Sequence, residues 1–340
     1  MEVFQVTLQH RNVNSVTLQH RNVSYAKWGM IFCIPFVLGF LIFTLYPMVF
    51  TFIIGFTDLR GLGVTDYHML DNPGENFKAV LADKNFIDSL KNTMMIWILN
   101  FVPQMLVALL LTSWLTSTSL RIRGQGAFKF LLYMPNIITA ATIAMLFNAI
   151  FQYPRSPANE FLVNAGVFSE AYNFLQSEWF VRGLIAFIQF WMWYGQTMLV
   201  LIAGVMGIST SLFEAAEIDG ANGFQIFFRV TLPNLRPIMA YTLITSLIGG
   251  FQMFDIPKMI MGVENNGPNN AARTVSVFIY QKAFSGRYIY NQAAAASIIV
   301  FIIIAILSGL LFYILRDKDA AMENRLRRVE RRATRKEALA

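Results

Sequence analysis

The chain has 340 residues, 56% of them hydrophobic and only 14% charged, with a mean hydropathy of +0.49. This composition excludes an ordinary water-soluble domain, and the absence of strand-period alternation argues against a β-barrel, leaving an all-α integral membrane protein. The net charge of +7 does not read as a nucleic-acid footprint, because the basic residues flank apolar runs without interleaved stacking aromatics.

Residues 1–27 are polar and contain a ten-residue duplication, Val6 to Val13 recurring as Val16 to Val23. Two copies make no structural array, so the expectation is a flexible cytoplasmic leader. The apolar run that follows is far longer than a signal-peptide core, so the first span is expected to stay. Uncharged runs cover about 28–57, 92–120, 130–154, 183–213, 237–258 and 288–315. About 20 apolar residues cross a bilayer as a helix, so six transmembrane helices are expected. The fifth is the shortest, its apolar part ending at residue 254 before Asp255 and Lys258. Those two, spaced i and i+3, read as an interfacial ion pair, with a proton or ion relay as the alternative.

Six spans put both termini on one side. Arg121, Arg123 and Lys129 in the 117–129 loop, and the Arg- and Lys-rich tail 316–340, assign the termini and the 209–236 loop to the cytoplasm. The tail reads first as a solvated anchor, with contact with anionic lipid as a secondary reading. Cys33 is the only cysteine, so neither an intrachain disulfide nor a Cys-based metal site can form. His68 reads as a solvated side chain. A phosphate-cradling loop, a zincin motif, a nucleophile elbow and a Cys/His cluster are all missing from the sequence, so no catalytic residue and no metal ligand is assigned.

The 209–236 loop is the informative segment. Ser211 followed by Glu214 predicts a capping box and a helix start. Asp219-Gly220 and Asn222-Gly223 tolerate positive φ and predict a turn. Beyond it Phe224, Phe227, Phe228 and Leu232 fall on one helical face, with Gln225 and Arg229 facing away. Pro233 is expected to stop this helix and Pro237 to open the next span. A helix lying on the membrane surface would fit the pattern alone.

The order of these signals resembles the EAA loop of membrane subunits of binding-protein-dependent ABC importers. Glu214, Ala215, Ala216, Gly220, Leu232 and Pro233 match it, Val230 replaces the usual isoleucine, and Asp219 and Ala221 complete the fuller carbohydrate-branch form. Leu132-Tyr133-Met134-Pro135, and Asn266-Gly267-Pro268 with Thr274, Tyr280, Ala283 and Phe284, are similar to other segments of that branch. The resemblance implies a type I ABC importer permease fold and a MalF-like half of a sugar permease. It further implies a MalG-like second permease subunit, two ATPase subunits that use ATP and Mg, and an external solute-binding protein. No cofactor is then bound by this chain, which sits multi-pass in the plasma membrane of a prokaryote and is not itself an enzyme. The matched loop would form the coupling helices that enter a cleft of the ATPase.

Sugar recognition needs aromatic faces and amide or hydroxyl groups in an otherwise apolar cavity. Gln189, Trp193 and Gln196, at i, i+4 and i+7, make such a stripe on the fourth span. Interhelical hydrogen bonds are the simpler use of these amides. Trp191 and Tyr194 fall on other faces and are expected to pack. Gly249 and Gly250 would allow close approach of a neighbour or ligand, and Gln252 and Asn148 are further candidates. Other readings are an ABC permease for a non-sugar solute such as an amino acid or phosphate, a secondary transporter or channel, and a membrane enzyme or assembly factor. The last two classes would need intramembrane ionisable or catalytic groups.

Overall fold

A computed structural model describes residues 26–117, 123–262, 264–286 and 288–315. The leader duplication and the basic tail lie outside the described residues. The fold separates into two units, Met1–Phe50 and Thr51–Ala340. In the first, α1 (Ala26–Phe40) runs through a five-residue π turn, Leu41–Leu45, into α2 (Tyr46–Ile54). Pro47 supplies no N–H, and just before it the ladder widens, with the Tyr46 N–H donating to Leu41 O. Phe32, Phe36 and Phe43 are largely exposed, a surface suited to an apolar medium.

The second unit is built on two long helices. After α3 (Glu75–Ala82), Asp83 accepts from the Asn85 N–H and starts α4 (Lys84–Thr116). Next come α5 (Gln125–Ile137), α6 (Ala140–Phe151), α7 (Pro157–Asn164) and α8 (Glu178–Met206), the last capped by Ser177. Both long helices begin earlier than their uncharged runs, because capped polar first turns extend them. One apolar cluster joins Ile96 of α4 to Ile143 of α6 and Ile185 and Ile188 of α8. Another joins Ala108 and Leu115 of α4 to Met198, Leu201 and Ile202 of α8.

Beyond α8 lie α9 (Thr210–Ile218), α10 (Gly223–Ile226), a second π turn (Phe227–Thr231), α11 (Leu232–Asn234) and α12 (Arg236–Phe251). Then α13 (Asp255–Met261), α14 (Val275–Phe284) and α15 (Tyr290–Leu315) complete the unit. Leu247, Phe251, Phe278, Ala295 and Ala296 form a core with Val80 and Phe86. Beside it the buried Asn76 and Asn291 amides satisfy each other and the Gly55 and Thr57 carbonyls. Among the described residues, β structure is limited to the isolated bridge Thr57–Met69.

Among the described residues, four helical stretches are long and apolar enough to cross a membrane: Trp28–Ile54, Lys84–Leu115, Glu178–Met206 and Tyr290–Leu315. Two expected spans are broken. The 130–154 run is bent by 84° between α5 and α6, and the fifth by 41° between α12 and α13. The first break is local: Ile138 and Thr139 are extended, and the Thr139 hydroxyl accepts from the Thr142 N–H to start α6 afresh. The fourth span also ends earlier than 213, at Met206, and α9 is a separate helix.

Candidate functional site

Between α4, α8, α12 and the α12–α13 break lies a cavity of about 450 Å³, within the range that small-ligand sites occupy. Gln189, Trp193 and Gln196 all line it, because i, i+4 and i+7 put one stripe of α8 on its wall. Trp193 is 44% exposed, leaving ring surface for a ligand. Gly249, Gly250 and Gln252 line it as well. Asn148 does not: its amide donates to the Ile260 carbonyl. Trp191 and Tyr194 pack against Phe147 and Phe190.

Two glycines allow close approach of neighbouring elements. At Gly195 an added Cβ would lie 2.3 Å from the Leu132 carbonyl oxygen, so only glycine lets the α5 backbone cross α8 this closely. At Gly250 it would lie 2.4 Å from the Trp97 ring, whereas Gly249 faces open space. Trp97 in turn donates through Nε1 to the Ser246 hydroxyl at 3.2 Å.

Several lining residues escape the sequence reading. On α4, Asn100 and Gln104 reach the cavity. Gln104 Nε2 donates to the Thr197 hydroxyl at 2.7 Å, tying α4 to α8, while Asn100 Oδ1 is buried without a partner. From α12 come Tyr241, Thr242, Thr245 and Ser246, and from the break comes Asp255. A signal existed for the first pair: two amides at i, i+4 in an uncharged run are costly unless used. The expected Asp255–Lys258 ion pair does not form. Lys258 is buried, its Nζ has no hydrogen-bond partner and lies over the Tyr280 ring, while Asp255 is exposed on the cavity wall.

Polar clamps fasten the ends of α4 and α8 on the side of the 264–286 segment. Arg182 donates to Asn92 Oδ1 through Nε and Nη2 and pairs with Glu178, which accepts from Asn269. Asn92 also donates to the Asn270 carbonyl. Lys282 bonds Asp83 at 2.9 Å. Burial pushes the Asp83 carboxyl up, but the Lys282 hydrogen bond, the Asn85 N–H and the Lys282 and Arg273 charges outweigh it and hold the carboxyl below its ordinary value. Thr274 caps α14 and donates to the Met253 carbonyl, holding that segment on the α12–α13 break.

The 209–236 loop departs from expectation in three places. No Ser211–Glu214 capping box forms; α9 starts at Thr210 and the Ser211 hydroxyl bonds Ser209 instead. The capping box is at Asn222 and Gln225, so Gln225 turns back onto the helix start rather than outward. Pro233 does not stop the chain but sits in the first turn of α11, preceded by the π turn in which the Leu232 N–H donates to Phe227 O. Pro237 does open α12.

Gly220 has a physical explanation. Its φ is +75°, the Gly220 N–H donates to Glu217 O and the Ala221 N–H to Ala216 O. This is a Schellman close of α9, in which Asp219 is the cap, Gly220 the left-handed residue and Ala221 the closing donor. The second half presents Phe224, 72% exposed, with its ring tilted against that of the exposed Phe228 at 4.4 Å between centroids, and Phe227 and Leu232 half-buried. Ile218 adds a further exposed apolar side chain. Glu214 and Ala215 are exposed on α9 and Ala216 is half-buried there.

Long apolar helices around a cavity dotted with amides and hydroxyls, with a capped helical loop projecting an apolar tip, define a polytopic membrane chain built to carry a solute. The family model of the binding-protein-dependent transport system inner membrane component matches residues 79–319, and the chain belongs to that family. Among its relatives is the arabinooligosaccharides transport system permease protein AraP of Bacillus subtilis, 31% identical over 82% of this chain and 85% of that protein. The lactose transport system permease protein LacF of Rhizobium radiobacter is 28% identical over 85% and 94%. The sn-glycerol-3-phosphate transport system permease protein UgpA of Agrobacterium fabrum is 29% identical over 68% and 76%. The fold matches a chain of a bacterial alginate ABC transporter, solved with an alginate pentasaccharide-bound periplasmic protein, at a TM-score of 0.69 and 21% identity, over 86% of this chain and 94% of that one.

Proposed function

We propose that this chain is a permease subunit of an ATP-driven, binding-protein-dependent importer of a sugar or oligosaccharide. It forms half of a translocation path with a second, MalG-like permease subunit. The observation that carries the reading is the cavity, where amides, hydroxyls and one accessible indole ring surround a space of saccharide size. The names of AraP and LacF support the same substrate class.

Each bent helix pair counts as one crossing in this reading, giving six crossings with both termini in the cytoplasm. The 209–236 loop then faces the cytoplasm, and its tip of Ile218, Phe224 and Phe228 docks in a cleft of a partner ATPase. Two ATPase subunits hold the ATP and Mg; this chain binds no cofactor and catalyses no reaction. Closure of the ATPase dimer moves the loop, and the helices fixed to it expose the cavity alternately to each side. An external solute-binding protein delivers the sugar to the opposite face.

The test replaces Glu214 and Gly220 in the assembled transporter. Sugar uptake and substrate-stimulated ATP hydrolysis are both lost while the chain stays in the membrane. Normal coupled transport by that variant would overturn the assignment. Separately, Trp193→Ala lowers sugar affinity at least tenfold without loss of subunit assembly, read by sugar binding to the purified complex.

A further inference from the structure

We infer that the half-pathway built by this chain is matched to uncharged saccharides and works against anionic ones, with Asp255 as the excluding charge. This rests on the sugar reading and narrows it. Among the described residues lining the cavity there is neither a lysine nor an arginine, and the one formal charge is the Asp255 carboxylate. It is exposed at the α12–α13 break, beside Gln252 and across from the Gln189–Trp193–Gln196 stripe of α8.

The neighbouring cations are turned into the protein. Arg182 is held by Asn92 and Glu178, Arg273 donates to Asn85, and Lys282 pairs with Asp83. Lys258, three residues beyond Asp255, is buried over the Tyr280 ring and does not line the cavity. A bound carboxylate, sulfate or phosphate would therefore meet no charge-assisted donor from this chain and one repelling carboxylate.

Hydrogen-bond polarity points the same way. Gln104, Gln189, Gln196 and Gln252 each offer a carbonyl acceptor as well as N–H donors. Sugar hydroxyls donate and accept, and so can satisfy both ends of an amide. An anionic group only accepts and leaves amide oxygens unpaired.

The test uses the complete transporter in nanodiscs, with binding measured directly on the complex so that the external protein's own selectivity does not enter. The probes are neutral lactose, arabinotriose and raffinose, the anionic trigalacturonate, and sn-glycerol 3-phosphate. At low ionic strength at least one neutral sugar binds ten times or more tighter than either anion. Asp255→Asn shifts the neutral-to-anion affinity ratio roughly three- to tenfold toward the anion, and Asp255→Lys shifts it further. In the unmodified complex the ratio also narrows in about 1 M salt, where charges more than about 3 Å apart are screened, so the test does not depend on a variant folding.

Anions binding the unmodified complex as tightly as the neutral sugars would overturn the filter and leave the sugar reading standing. A ratio that neither Asp255 variant nor salt moves would do the same. If neither the neutral sugars nor trigalacturonate bind, the sugar reading falls and takes this inference with it.

Discussion

Gly195 is the position where a single methyl group separates a packing role from a binding role most sharply. An alanine there places Cβ 2.3 Å from Leu132 O and 2.9 Å from Leu132 C and Tyr133 Cα. Ordinary contact distance requires α5 to retreat by roughly 1 Å, and backbone atoms cannot rotate aside as a side-chain tip can. Overpacking of this kind costs up to about 3 kcal/mol, partly offset by about 1 kcal/mol of helix propensity gained over glycine. The net expectation for Gly195→Ala is therefore a destabilisation of about 2 kcal/mol, a fall of roughly 4–8 °C in melting temperature by the scaling for domains of this size. Gly249→Ala is the internal control, because its methyl meets nothing within 4 Å. It keeps or slightly raises the melting temperature, while intruding on the cavity and weakening sugar binding. Thermal unfolding of the purified complex and sugar titration on the same samples read both effects. Equal melting temperatures for the two variants would refute the idea that α5 crosses α8 through Gly195.

Two further expectations concern charge. Lys258→Met roughly keeps the side-chain length and removes a buried ammonium that has the Tyr280 ring beside it but no hydrogen-bond partner, so the complex gains roughly 1–3 kcal/mol in thermal unfolding. A loss of stability would mean that Nζ acquires a partner in the assembled transporter. Asp83, with its carboxyl held below the ordinary 3.8, stabilises the α3–α4–α14 junction above that value, and the contribution disappears as pH falls through the lower folded-state pKa. Hydrogen exchange at the start of α4 is thus faster in Asp83→Asn than in the parent at neutral pH, and the two converge in acid. A difference unchanged between neutral pH and pH ~3 would remove the Lys282 pair as its cause.

Much of the site was legible because helical periodicity is local. The amide–indole–amide stripe on α8 needs only residue types and a spacing of i, i+4 and i+7 to share a face. Gly220 was equally legible, since a left-handed residue closing a short helix is a property of four or five consecutive residues. Errors within the 209–236 loop arose where local signals competed. Ser211 and Glu214 have capping-box spacing, but α9 begins before Ser211. Asn222 and Gln225 took the box that their turn-forming neighbours obscured. Hydropathy also treated 130–154 as one helix, because it sees the apolar side chains around Thr139 and not the extended backbone that restarts the helix there.

By itself the sequence determined the medium of this protein, the helical class, the positions of most membrane-length runs and the chemistry of one cavity wall. These depend on composition and on contacts within a turn or two of helix. Only the tertiary structure decided which walls face that one. Asn100 and Gln104 enter through the register of α4 on α8, held by the Gln104–Thr197 bond. Asp255 and Lys258, both on α13, part company because Asp255 opens the helix on the cavity wall while Lys258, one turn on, is buried over the Tyr280 ring. Such placements depend on residues distant along the chain, nearly a hundred positions for Gln104 and Thr197, and no periodicity encodes them.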